Sequence, residues 1–409
     1  MAELPRIISV DDHLVEPKDL WTKRLPARDV DRGPRVLQKK GLLKFDLNSA
    51  KLTQFVEDPD AAGARWCDLW VYDDLEWAFP AALAAVGPLR EVEAATPVAY
   101  DDMLPGCYDQ GARLVDMDAN HVEASMCFPT FPRFCGQTFM ERKDKKLALA
   151  CVRAYNDFMI DEWCAGAGAG RLIPQTIIPL WDPELAAAEI RRSADKGSHA
   201  VAFSEVPPHL NLPSIHSDHW DPFLAACDET DTVINMHIGS SSKMPTTSMD
   251  APLAVTIALT AQNAEGAFAD WLMSGKLARF PNLRIAFSEG QAGWIPFVLQ
   301  RLESIWERSI KFEKALRERV PDPPSSYVRG RIYFCIFDDL HGLRSRDIIG
   351  MDQIMFETDY PHNDSTFPHS KEVATKHVAE AGLTVDETWK LVRGNAIACY
   401  GLERYGITA

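Results

Sequence analysis

RIISVDDH, residues 6–13, is a short apolar run that ends in two acids and a histidine. A strand of this make-up, apolar at consecutive positions, suits a sheet covered on both faces. Seven further runs resemble it: 121–128 (HVEASMCF), 171–179 (RLIPQTIIP), 198–204 (SHAVAFS), 232–237 (TVINMH), 283–288 (LRIAFS), 331–336 (RIYFCI) and 353–358 (QIMFET). Helical spacing of apolar residues separates them at 143–165, 183–196, 220–228, 293–318 and 384–402. That alternation predicts an α/β chain with a parallel sheet. Eight strands suit a closed (β/α)8 barrel, although an open doubly wound sheet has the same alternation. No Gly-x-Gly-x-x-Gly follows the first run, which weakens a dinucleotide-binding sheet.

Residues 30–115 interrupt the pattern with prolines, charges and tryptophans (RWCDLWVYDDLEW) and show no clean period. An excursion of this length after the first strand reads as a lid, a binding loop or an oligomer contact. The expectation is therefore one domain over residues 1–409, with 30–115 inserted into it.

The 409 residues carry a formal charge of -16 and a sequence pI near 5.2. Long-range repulsion from phosphate backbones and anionic lipid argues against nucleic-acid or membrane partners and leaves a small molecule. Nine widely spaced cysteines without a Cys-x-x-Cys pair suit reduced, buried thiols. With no signal-like amino terminus and no long apolar run, the expected location is the cytoplasm.

In a barrel of parallel strands, reactive groups cluster where the strands end. The first run closes on Asp11 and His13, two apart and so on one side of an extended chain. The fifth closes on His237. The eighth leads into ETDYPHNDSTFPHS, residues 357–370, where Asp359 follows the strand and Pro361 stops it. Two imidazoles and two carboxylates form a nitrogen and oxygen donor set suited to zinc, manganese or iron. Two substrate-binding candidates lie on loops: Arg133, whose guanidinium suits a carboxylate between Phe131 and Phe134, and His216. His362 is a candidate hydrogen-bonding partner to the metal ligands.

Taken together, ISVDDHLVEP, NMHIGSS, SEGQAGWIP, FETDYPHNDST and RGNAIACYGL resemble the amidohydrolase superfamily. The closest resemblance is to the branch with aminocarboxymuconate semialdehyde decarboxylase and the resorcylate decarboxylases; residues 30–115 lie outside it. The resemblance implies a distorted (β/α)8 barrel and a divalent ion held at Asp11, His13, His237 and Asp359, with Asp359 also handling protons. Hydrolysis and non-oxidative decarboxylation of a small organic acid or amide are the implied reactions. Where that branch carries a strand-six histidine, this chain has Glu289. Glu289 is then a proton carrier or a ligand to a second metal, and the second role suits an oxygen-dependent hydroxylase with two irons. A third reading is a non-catalytic partner of a homologous chain. Homo- or hetero-oligomers are expected.

Overall fold

The computed structural model describes residues 3–45, 53–84, 92–248 and 250–408. Eight parallel strands fall on the eight runs: β1 (Ile7–Leu14), β6 (Val122–Pro129), β7 (Leu172–Ile173), β8 (Ala200–Phe203), β9 (Val233–His237), β10 (Ile285–Ser288), β11 (Ile332–Ile336) and β12 (Ile354–Phe356). They pair as β1-β6-β7 and as β8-β9-β10-β11-β12, in a mixed α/β architecture. Backbone bonds span both gaps between these sheets. Thr176, just past β7, bridges Val201 of β8. Beyond β12, Asp359 N–H donates to Asp11 O at 2.9 Å and His13 N–H to Tyr360 O at 2.6 Å.

The run 171–179 is the one that shrinks most, to two residues. Pro174 has no N–H to give to a ladder, so strand pairing stops before it.

Within β1 the register with β6 shifts between Ser9 and Asp12. A bulge there turns successive side chains away from strict alternation. Ile8 and Val10 pack into an inner cluster with Ala124, Met126, Val233, Ala286, Cys335 and Met355. Ser9 Oγ donates to Asp12 Oδ1 at 3.0 Å, and Asp12 also accepts from Thr358 Oγ1 at 2.6 Å and Tyr360 N–H at 3.1 Å. Asp12 is thereby spent on the joint between β1 and the β12 exit, while Asp11 and His13 turn to the mouth of the strands.

The stretch 30–115 holds structure that its sequence does not announce. Four antiparallel strands, β2 (Arg35–Phe45), β3 (Thr53–Glu57), β4 (Arg65–Tyr72) and β5 (Leu75–Ala78), pair in the order β3-β2-β4-β5. No period was visible because both faces of β4 carry large apolar side chains: Leu69, Trp70 and Val71 are all buried. Trp70 stacks on Phe131 at 4.7 Å, so part of the tryptophan-rich segment is core of its own chain, whereas Trp66 is 64% exposed. Residues 46–52 and 85–91 of this stretch lie outside the described residues. Among the described residues, no helix is long and apolar enough to cross a membrane.

Candidate metal centre

Six side chains from four strand ends meet at one mouth of the parallel strands. His237, the last residue of β9, has its Nδ1 2.6 Å from Ile238 O. That contact assigns the proton to Nδ1 and leaves the Nε2 lone pair free, as a ligand requires. His237 Nε2 lies 3.2 Å from Asp11 Oδ2, 3.1 Å from His13 Nε2 and 3.8 Å from Glu289 Oε2. His13 Nε2 lies 3.7 Å from Asp11 Oδ1 and 3.4 Å from Asp359 Oδ1. His362 Nδ1 lies 2.9 Å from the same Asp359 oxygen. Donor atoms about 2.1 Å from one ion and roughly 90–110° apart sit roughly 3.0–3.4 Å from each other. The measured spacings scatter around that range.

The fit is also chemical. Asp11 and Asp359 are buried, and among the described residues none of their four oxygens receives an aligned hydrogen bond. Leaving four carboxylate oxygens dry and unbonded is costly unless something else satisfies them. Burial, reinforced by Glu357, Glu289 and Asp359, raises the Asp11 carboxyl well above the usual range. Burial first and Asp359 second do the same to Glu289, and burial with Glu289 beside it raises Glu357. The imidazoles move the other way: burial holds His237 down to about 3, and burial with His362, His237 and Arg113 keeps His13 well below its ordinary value. Neutral imidazoles next to carboxylates short of positive charge form a donor set for a cation.

Backbone strain points to the same place. Glu289 has a φ of +53°, in the left-handed region that side chains other than glycine, asparagine and aspartate rarely adopt; Asp359, at +56°, is of a type that tolerates it. Glu289 is held there by its own N–H, 3.2 Å from both oxygens of Glu357. Conformations of this kind cost of order 1–3 kcal/mol and collect at functional sites.

The two substrate-binding candidates fare differently. Arg133 donates to Glu141 Oε1 at 2.6 Å and to Ser242 Oγ, on the loop that follows His237. Its neighbour Phe134 stacks on the His237 ring at 4.4 Å, and Phe128 meets that ring edge-on at 4.9 Å, forming an apolar wall. His216 is not brought to the cluster. It is half exposed, and its Nε2 pairs with Asp270 at 2.9 Å.

Sequence reasoning passed over three contributors. Glu357 stands two before Asp359 and so shares its side of the chain, a signal that was there to use. Arg113 gave no signal: it sits in helix Gln110–Ala119, yet it is fully buried and donates to His13 O at 2.5 Å while lying over the Tyr360 ring. Glu205 follows β8 as an acid directly after an apolar run, the same cue that marked Asp359. Its Oε1 accepts from Gly239 N–H, Ser241 Oγ and Asn263 Nδ2, each at 3.1 Å, and so clamps the loop after His237.

Burial pushes Glu205 up to about 7 from an ordinary 4.5. The native chain then binds a proton that the unfolded chain has released between those pH values, so this group's contribution to stability falls as pH rises from 4.5 to 7. Glu205→Gln keeps the acceptor and removes the titration. Urea unfolding at pH 5 and pH 8 is expected to show wild type losing about 3 kcal/mol more than the variant over that interval. Equal pH slopes for the two proteins would contradict the assignment.

A family model described as amidohydrolase matches residues 58–402, well over half of the chain. The chain belongs to the amidohydrolase family. The match begins inside the 30–115 stretch that the sequence reading had set apart, and downstream of Asp11 and His13. An amidohydrolase from Mycobacterium avium subsp. paratuberculosis shares the fold at a TM-score of 0.70 and 20% identity, over 97% of this chain and 99% of that one. A 2,6-dihydroxybenzoate decarboxylase solved with 2,6-dihydroxybenzoate aligns at 0.61 and 16% identity, covering 98% and 100% of the two chains. The 5-carboxyvanillate decarboxylase of Novosphingobium aromaticivorans, solved with manganese, aligns at 0.58 and 19% identity, covering 73% and 82%. These likenesses establish the amidohydrolase fold.

Proposed function

We propose that this amidohydrolase is a metal-dependent enzyme that removes carboxylate from a small organic acid without oxidation, and that its parallel strands close into a distorted (β/α)8 barrel. The observation that carries the reaction is the pair of buried donor triads that share His13, Asp11 with His13 and His237 and His13 with Asp359 and His362, whose carboxylate oxygens on Asp11 and Asp359 lack aligned hydrogen bonds. The backbone bonds across both sheet gaps support closure. Decarboxylation is preferred over amide hydrolysis because the strand-six position holds Glu289, a largely enclosed carboxyl whose hold on its proton is strengthened by desolvation and by Asp359, which suits it to give a proton to carbon. The named decarboxylases among the structural relatives are consistent with this.

A divalent ion in this donor set, manganese, zinc or iron, supplies a Lewis-acid grip on a substrate oxygen. The chain's own groups do the rest. Asp11, His13, His237 and Asp359 would hold the ion. Phe128 and Phe134 exclude water from one side of the pocket. Arg133 binds the substrate carboxylate in exchange for Glu141. As the bond between carbon and carboxylate breaks to release carbon dioxide, Glu289 gives its proton to the carbon left behind and regains one from solvent. The segment 30–115 reaches the loop beside the site at Ala82, whose O accepts from Asn363 N–H, next to His362, at 3.0 Å.

The second reading, two irons and oxygen-dependent hydroxylation, has one observation in its favour, the 3.8 Å approach of Glu289 to His237. Elemental analysis of protein purified without added metal separates the two. About one manganese, zinc or iron per chain is expected, with carbon dioxide release from hydroxybenzoic acids lost on chelation and restored by the ion. Two irons per chain with oxygen-dependent turnover supports hydroxylation. Full turnover by metal-free protein overturns both.

A further inference from the structure

The turn that carries Glu289, residues 289–294 (EGQAGW), holds a shape its residues do not favour by themselves. Glu289 and Gln291 are both left-handed, at φ of +53° and +56°. That region is costly for side chains of these types, so contacts from elsewhere must set the turn. Glu357 supplies one of them at the near end, by accepting from Glu289 N–H. Trp294 supplies another, its Nε1 donating to Gly290 O at 2.8 Å. The far end is held from the exit of β11. Asp339 Oδ2 accepts from Ala292 N–H at 2.6 Å and from Gly293 N–H at 2.7 Å, and its Oδ1 accepts from Gly342 N–H at 2.7 Å.

We propose that Asp339 is a positioning residue for Glu289, fixing the turn so that the Glu289 carboxyl keeps its place beside His237. This rests on the reading above, that Glu289 gives a proton to carbon. Bonds from backbone N–H groups to a carboxylate are charge-assisted, which makes Asp339 a stiff anchor. Its charge also lies against the N–H groups just before helix Ile295–Arg308, where a negative charge is favoured. Gly293 permits the close approach: a methyl group there would lie 3.1 Å from both Asp339 Oδ1 and the His341 ring. None of these three bonds goes to Asp11, His13, His237 or Asp359, so loss of Asp339 acts on the turn and spares the ion.

A proton donor works only within hydrogen-bond reach of the atom it serves, and a displacement of about 1 Å can cost about 10²-fold in rate.

The test is a double-mutant cycle on the full chain loaded with Mn²⁺, read as carbon dioxide release from 2,6-dihydroxybenzoate and 5-carboxyvanillate. Asp339→Ala is expected to lower kcat about 10²-fold, with KM and ion content within about twofold of wild type and faster hydrogen exchange at amides 292 and 293. Asp339→Asn keeps an oxygen for those amides and is expected to restore kcat to within about fivefold of wild type. In a Glu289→Gln background, Asp339→Ala is expected to lower kcat by less than about threefold more, because the turn then has no transferable proton to position. A loss of about 10²-fold in both backgrounds overturns this inference and leaves Glu289 as the proton donor. Loss of the ion in Asp339→Ala, or wild-type kcat in that variant, does the same. Should Asp339→Ala not fold, Gly293→Ala presses on the same contact: a loss of about tenfold that disappears in the Glu289→Gln background supports the inference, and wild-type kcat overturns it. Wild-type kcat in Glu289→Gln, or no carbon dioxide from the wild-type enzyme, overturns the donor reading and this inference with it.

Discussion

His237→Ala is expected to lose the metal ion and turnover together, with kcat/KM down at least about 10³-fold, or about 4 kcal/mol of transition-state stabilisation. Its Nε2 is the donor whose state is least ambiguous, because Ile238 O takes the proton on the other nitrogen. It is also central, lying 3.1–3.8 Å from donor atoms on Asp11, His13 and Glu289. Removing it leaves Asp11 beside other buried acids with one imidazole fewer to share a cation. Affinity falls because the remaining donors no longer surround the ion. The measurement is metal content after gel filtration, compared with turnover on the same sample and with a cooperative unfolding curve to show that the chain is folded. A folded variant that keeps its ion would remove His237 from the ligand set.

The parts of this site that were legible in the sequence share a cause. Asp11, His13, His237 and Asp359 each follow an apolar strand, and a strand's exit is visible as the point where a hydrophobic run stops. Parallel sheets place all such exits at one end, so position along the chain translates into proximity without knowledge of the tertiary packing. The same cue reaches Glu205 and Glu357, which were passed over because a carboxylate alone does not declare whether it faces an ion or a neighbouring loop. Arg113 and the antiparallel sheet β2–β5 were not legible. Arg113 is buried only because Gly106 O, Cys127 Sγ and His13 O converge on it from three separate segments. The sheet is hidden because Leu69, Trp70 and Val71 are all covered, which erases the alternation that marks a half-exposed strand. His362 lies between these cases. Its sequence position, three after Asp359, shows that it is near the site, but its 2.9 Å approach to Asp359 Oδ1 and its stacking on His13 follow from the turn at residues 359–362.

Glu289→Gln separates proton transfer from metal binding, and it is the second large effect expected. Gln has nearly the same shape and leaves the backbone N–H of residue 289 on Glu357, so the left-handed conformation at this position should persist. What it lacks is a transferable proton. Loss of a positioned acid typically lowers a rate by about 10²–10⁴-fold, and that loss is expected in kcat, with KM and ion content within about twofold of wild type. Removing an acid whose charged form desolvation and Asp359 disfavour also predicts a metal-free variant at least as stable as wild type. The split between kcat and metal content gives the result its meaning. Should Glu289 instead ligate a second ion, the variant would lose metal along with activity, falling from two ions to one. Should it do neither, turnover would survive, and the proton would have to come from Asp359, the other buried carboxyl beside His13.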